Sequence, residues 1–496
     1  MRKPSDKKTK TNTKTAKTKA NTKTTKTKTS VAGALQVWED DPGTGVEVSL
    51  DSRPDPSATP LAYRFPAPAP EPSDDNTSSA FRYWSAAAAL RRGADFWAPR
   101  VPSGEWELGP VLPVLLDNGE DLNAFYDRQA LNFFHGSSPD GVVFSGASPD
   151  IVCHEMGHAI LDSVKPQLFD AGSQEAAAFH ESFGDMSAIL SDLQLPSLRA
   201  AILQDTGGHV SRNSRLSRLA EQLGAAIRAQ APDAVDPDCL RNAANSFSYS
   251  DPSTLPSVAP ASQLSSEAHS FSRVFTGAFL DALGAMLTAH AADPARPTAD
   301  ELAKVSLHIR DILMEAIANA PVVSNFMAQV ATGMVAASAS LNAAYPDILK
   351  EAFTRRAIIS LQTSVMATSR HPASVAAMTE TSAHSLSTIP LDQVALPAAH
   401  YGINEPLMVA TPSHPRRVLA TGAQPDLTPA DPRSAVSAAT QFCDDLFARG
   451  RVDLGEMEIR KPIVRLGGRL KTHKLVREKG ALTLRRILFD CGLCQQ

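Results

Sequence analysis

Residues 150–162 read DIVCHEMGHAILD, and the five residues HEMGH at 154–158 constrain the chain more than any other stretch. Side chains four apart on an α-helix project from one face, so His154 and His158 can offer two imidazole nitrogens to one ion. Imidazole–zinc bonds of about 2.0–2.1 Å suit that arrangement. Glu155 lies about 100° round the helix, close to such an ion without ligating it, where a carboxylate can deprotonate water. The helix itself is well signalled. Ser148 is a candidate N-cap, Pro149 fits the first helical position, Asp150 favours the positive end, and Pro166 limits the far end.

The pattern is short enough to arise by chance, so the fold must supply a third ligand. The extended pattern HExxHxxGxxH fails, because Leu161 and Val164 stand at its Gly and His positions. Glu181 is the candidate. A second helix is predicted over 174–192, with Phe179, Phe183, Met186 and Leu190 on one apolar face and Glu181 and Asp185 together on another stripe. The connection is short enough for the two helices to lie side by side, and Gly184 lets their backbones approach. Asp185, one turn beyond Glu181, is placed to accept the distal N–H of a ligand histidine.

With 496 residues and 43% hydrophobic content, the chain has the length for two or three domains and a sizeable core. Its five cysteines are too few and too irregular for a disulfide framework. Cys491 and Cys494 form a lone CxxC, which we read as structural or incidental thiols rather than a zinc or redox pair. Residues 1–30 hold ten lysines and Arg2 against Asp6 alone, without one aromatic residue. Such a segment is expected to be a disordered tail, with salt-sensitive contact to nucleic acid or another polyanion as the sharper alternative. It lacks the apolar core of a secretory signal, and no apolar stretch elsewhere is long enough for a membrane span. The expected location is therefore cytoplasmic, or outside the cell by a non-standard route.

Residues 31–79, with seven prolines between Pro54 and Pro72, are predicted to be an extended linker. Residues 80–193 read as α+β: a helix near 79–94, a buried strand at 111–116, short extended segments NAFYDR and GVVF, then the two helices above. Residues 194–368 read as helical, with helices near 196–204, 213–229, 267–291, 299–318, 322–342 and 345–366. Residues 369–496 form an extension with a helix near 436–449 and a β-hairpin around Gly467-Gly468. Twelve Lys/Arg between 449 and 486 against four acidic residues are read as a solvated sheet face, since stacking aromatics are almost absent.

HEMGH followed by HESFGD resembles the thermolysin-like gluzincin metallopeptidases, over about residues 80–368. The resemblance implies an α+β part and a helical part flanking a zinc cleft, and hydrolysis of peptide bonds in protein or peptide substrates. It implies His154, His158 and Glu181 as zinc ligands, Asp185 behind them and Glu155 as general base. NAFYD at 123–127 is similar to the family's substrate-pairing segment, implying Asn123 and Ala124 in substrate binding. LRNAANSFSYSDPSTLP at 240–256 implies Arg241 on the substrate carbonyl. EAHSFSRVFTGAFL at 267–280 implies His269 as donor to the developing oxyanion. Asp150 and Asp192 resemble two of the family's calcium carboxylates.

The chain also departs from that pattern. No tyrosine lies between Tyr126 and Tyr249, His180 replaces the asparagine before the ligand glutamate, and Leu264 replaces the acidic partner of the oxyanion histidine, for which Glu267 is a substitute at another offset. The aminopeptidase segment Gly-x-Met-Glu-Asn does not precede residue 154, which favours an endopeptidase. The alternative is a catalytically weak or inactive relative that keeps the scaffold and acts as a binding module.

Overall fold

The computed structural model describes residues 35–50, 52–360, 391–412, 434–455 and 470–492. The Lys/Thr-rich tail, Gly467-Gly468 and Cys494 lie outside these residues. The chain is mixed α+β. A hairpin opens it, β1 (Leu35–Trp38) pairing antiparallel with β2 (Glu47–Leu50). Then come β3 (Ala62–Arg64) and α1 (Ser79–Trp97), followed by β4 (Val111–Leu115), β5 (Ala124–Tyr126), β6 (Leu131–Phe133), β7 (His135–Ser138) and β8 (Gly141–Phe144).

The two helices read from the motif form as expected. Helix α2 spans Pro149–Val164, and the Ser148 hydroxyl caps it by accepting from the Ile151 N–H. A short turn, α3 (Gln167–Asp170), leads into α4 (Gln174–Asp192), every residue of which is buried. The polar stripe of α4 is therefore no solvent face, and each acidic group on it needs a partner inside the protein. The helical half follows with α5 (Pro196–Thr206), β9 (Arg218–Leu219), α6 (Glu221–Gln230), β10 (Arg241–Asn242), α7 (Ala268–His290), α8 (Ala299–Asn319), α9 (Phe326–Ser338) and α10 (Tyr345–Arg355). The helix expected over 213–229 begins only at Glu221, because Ala220 takes a left-handed conformation at φ 55° and residues 218–219 pair with β10. No described helix is long and apolar enough to cross a membrane.

One expectation is corrected. The proline-rich stretch 31–79 is not a linker over its described part: Leu61, Tyr63 and Phe65 are buried, and β3 joins β4 in register Ala62↔Val111. Proline removes backbone donors but not acceptors. Helix α1 uses those acceptors, Trp84 Nε1 donating to Pro70 O at 3.0 Å and Arg91 Nη1 to Ala58 O at 2.7 Å.

The described part of the extension 369–496 likewise packs into the same fold. β11 (Asp392–Leu396), β12 (Leu407–Thr411), β13 (Val452–Asp453), β14 (His473–Glu478) and β15 (Ala481–Arg486) form a sheet in the order β11-β12-β15-β14-β13, with a helix over Ser434–Ala448. Its described hairpin turns at Lys479–Gly480. Ala410 O accepts from Gly172 N at 2.7 Å, and Arg486 donates to Phe169 O at 2.8 Å, tying this sheet beside α3 and α4. A last short strand, β16 (Phe489–Asp490), leaves that sheet and completes the other one, whose order is β16-β5-β6-β4-β3.

Candidate metal centre

Helix α2 turns His154 and His158 toward α4, from which Glu181 meets them. Glu181 Oε2 lies 3.4 Å from His154 Nε2 and 3.9 Å from His158 Nε2. Donor atoms around a tetrahedral ion with zinc-like bonds sit about 3.4 Å apart. All three atoms are buried without a well-aligned hydrogen bond among the described residues, although Glu181 Oε2 also has His269 Nε2 at 3.2 Å. Buried polar atoms are seldom left in that state, and three of them facing one point fit a cation held between them.

The far nitrogen of each ring is tied. His154 Nδ1 donates to Asp185 Oδ1 at 3.0 Å, and Nε2 is the nitrogen turned to Glu181. His158 Nδ1 meets His180 Nδ1 at 2.9 Å, so a single proton is shared across that contact. His180 thus sits behind His158, its Nδ1 against the nitrogen turned away from Glu181. Burial, with the positive charge of Arg486 and Arg128 near by, holds its pKa well below the usual histidine range.

Space for this geometry is made by two glycines. A Cβ on Gly157 would come within 3.0 Å of Gly184 Cα, and one on Gly184 within 2.6 Å of His154 Nδ1 and Cε1. Gly184 therefore clears room for a ligand ring as well as for a neighbouring backbone. Gly184→Ala is expected to rotate His154 off Asp185 and weaken metal affinity about 10- to 100-fold, in line with other losses of ligand support. Competition against a metal-chelating dye checks this, and unchanged affinity would show that the ring tolerates the shift.

Glu155 stands beside these ligands, fully buried, with neither oxygen bonded among the described residues. Burial raises its pKa to about 8, and a neighbouring cation would return it to the ionised, basic form. Burial opposes a charge on His154, but Cys491, Asp185 and Glu181 outweigh it and raise the pKa to about 10. The pocket therefore favours a positive charge at this spot. Arg241 supplies one at the rim: Nη2 bonds Asp185 Oδ1 at 2.8 Å and reaches Cys491 Sγ at 3.8 Å.

His269, at the start of α7, has Nδ1 on Glu267 Oε1 at 2.8 Å and Nε2 on the carbonyl oxygen of Asp490. Both ring nitrogens face acceptor oxygens, and Nε2 also lies 3.2 Å from Glu181 Oε2. Glu267 fills the orienting role; burial would push its carboxyl up, but His269 and Arg449 hold it well below the usual range. No tyrosine hydroxyl stands in for the missing donor, since Tyr126 is spent on Asp162 and Tyr249 on Glu175.

Asn123 and Ala124 line the edge of β5, and both are engaged by the chain itself. Ala124 O accepts from Cys491 N at 2.9 Å, and Asn123 Oδ1 from Gly492 N at 2.7 Å. An extended strand thus lies along the groove edge, antiparallel to β5. Cys491 is buried, and its sulfur lies within 4.8 Å of ligand atoms of both His154 and Glu155. Sequence reasoning missed it and Phe489, whose ring stacks on His180 at 4.0 Å and on His158 at 5.0 Å.

A second cluster lies at the other end of α2. Asp150 groups with Asp40 and Asp192 on one side, and with Asp41 and Glu221 on the other, the ligand oxygens of each group lying within 4.8 Å of one another. Asp40 Oδ2, Asp150 Oδ1, Asp192 Oδ1 and Glu221 Oε2 are buried without hydrogen-bond partners among the described residues. Asp192 also has Arg92 at 3.8 Å. Burial and mutual repulsion raise Asp150 well above the usual range; burial leads in raising Asp40 to about 7 and Glu221 to about 9.

No protein-family model matches the chain, and no curated protein matches it in sequence.

Proposed function

We propose that the chain is a zinc-dependent endopeptidase of thermolysin-like architecture, its cleft lying between the α+β and helical halves. The observation that carries this reading is the extended strand on β5, which lays a peptide carbonyl against His269 beside the ligand set of His154, His158 and Glu181. Two imidazole nitrogens and one carboxylate oxygen make a donor set suited to catalytic zinc. When bound, that ion would supply Lewis acidity, lowering the pKa of water and polarising a carbonyl.

The chain's own groups do the rest. Ala124 O and Asn123 Oδ1 fix an extended peptide in register along the groove. Glu155 takes a proton from the attacking water and passes it to the departing amine. His269 Nε2–H donates to the carbonyl oxygen as negative charge develops there. The loss of the family's tyrosine leaves His269 to carry more of that stabilisation. Asp185 fixes the tautomer of His154 and the position of Arg241.

Asp40, Asp41, Asp150, Asp192 and Glu221 form a carboxylate-rich, buried donor set suited to calcium. It lies beside the N-terminus of α2 and would brace the helix that carries both histidines.

The functional test incubates the zinc-loaded chain, ending at residue 496 or at 488, with an unfolded protein and a peptide library. Cleavage by either form, abolished by a chelator and restored by zinc, is the expected result. A chain that holds zinc and cuts nothing in either form would instead act as a binding module.

A further inference from the structure

We propose that Phe489–Gly492 is a built-in occupant of the groove and that the Cys491 thiolate is the fourth ligand of the metal held by His154, His158 and Glu181. The chain is then latent until this segment leaves. The inference rests on the peptidase reading above and adds a regulator to the same site.

Four sets of contacts seat the segment in the groove. Its backbone uses Ala124 O and Asn123 Oδ1, the two acceptors that a substrate strand would need. The carbonyl of Asp490 takes the proton of His269 Nε2. The Phe489 ring stacks on His158 and His180, with Phe169 at 5.4 Å edge-on and the Arg486 guanidinium 4.0 Å from its centre. The Asp490 carboxylate turns away from the metal site to a buried ion pair with Arg451, 2.6 Å from Oδ1. Each side chain is thus matched by the protein around it, and the Cys491 sulfur is left beside Arg241, within 4.8 Å of ligand atoms of His154 and Glu155, a group that shares His154 with the set His154, His158 and Glu181.

A thiolate binds zinc at about 2.3 Å and suits the open fourth position of such a site. On seating, the S–H bond breaks, its proton passes to solvent, and a sulfur–metal bond forms. The sulfur then fills the space beside Glu155 from which water must attack. On release, the sulfur–metal bond breaks and the thiolate takes up a proton from solvent. The segment pairs antiparallel with β5 in the register Phe489↔Tyr126 and Asp490↔Phe125. With sulfur at the metal, the peptide bond beside His269 lacks a nucleophile.

A tethered occupant acts at an effective concentration on the order of millimolar, so even micromolar affinity would suppress activity by about a thousandfold. The test loads cobalt(II) into the full chain, Cys491→Ser, Phe489→Ala and Cys494→Ser, and records metal content, near-ultraviolet absorption, intact mass and peptide cleavage. The expected result is a sulfur-to-cobalt charge-transfer band in the full chain and in Cys494→Ser. Cys491→Ser should keep its metal, lose the band and cleave at least about tenfold faster; Phe489→Ala, which retains the thiol, should also cleave faster.

Metal bound without a sulfur band, with cleavage unchanged in Cys491→Ser and Phe489→Ala, overturns the latch and leaves the peptidase reading standing. A fall in mass from scission within 489–492 also overturns it, by making the segment a substrate. Absence of metal from every form removes the metal reading and the latch with it.

Discussion

Glu155→Gln, made in a chain that also carries Cys491→Ser, is expected to keep its zinc and lose cleavage by about 100- to 10,000-fold, the span typical of a missing general base. The amide preserves the shape of the side chain and removes its ability to accept a proton. Glu155 is fully buried and makes no hydrogen bond among the described residues, so the exchange breaks no structural contact there. In the metal-free chain, burial raises the Glu155 carboxyl to about 8, so replacing it there with a neutral amide should not cost stability. Thermal unfolding should therefore be unchanged or slightly improved while turnover falls. Cleavage that persists in this variant would assign the base to another group.

The second large effect is expected at the carboxylate cluster. Without a cation, folding raises the pKa of Asp40 to about 7 and of Glu221 to about 9, and lifts Asp150 and Asp192 as well. A group with a raised folded-state pKa contributes stability below its unfolded value and loses it as pH rises through the folded value. The chelator-treated protein should therefore lose melting temperature steadily from about pH 5 to pH 9, as these carboxyls are forced to ionise together. Calcium reverses the sign of that problem, because it binds the ionised form. At a hundredfold excess over its dissociation constant it adds about 2.7 kcal/mol, and the gain should grow with pH. Melting curves with chelator and with calcium across that range check this; a calcium increment that is absent or independent of pH would argue against the site. Asp150→Asn, which lies in both groups, should abolish most of the increment.

The legible parts of this molecule are those whose information is local. The caps and prolines around HEMGH fix α2, and the apolar stripe of 174–192 fixes α4 to the residue. Helical periodicity puts His154 with His158 on one face and Glu181 with Asp185 on another, and the resemblance to the thermolysin-like pattern implies that these faces meet. The illegible parts depend on distant pairing. β16 is two residues long, carries no strand signature, and exists because the edge of β5 accepts it. A lone CxxC therefore says nothing in sequence of where the Cys491 sulfur lies. Asp40 and Asp41 escaped for a similar reason, since they sit beside a hairpin in a stretch whose prolines suggested a linker. Helix α1 and the carbonyls it bonds turn that stretch into part of the fold. His180 was visible as a departure from the family pattern, but its role needed coordinates. The 2.9 Å contact to His158 Nδ1 puts it behind that ring.

The central claim is that His154, His158 and Glu181 hold a single catalytic zinc. Elemental analysis of the purified full chain, His158→Ala and Glu181→Ala after dialysis against a weak chelator tests it most directly. The account predicts one zinc per folded chain in the unaltered protein and loss of that zinc in both variants, each confirmed as folded by circular dichroism. Zinc absent from the unaltered chain, or retained equally by folded His158→Ala and Glu181→Ala, would contradict it.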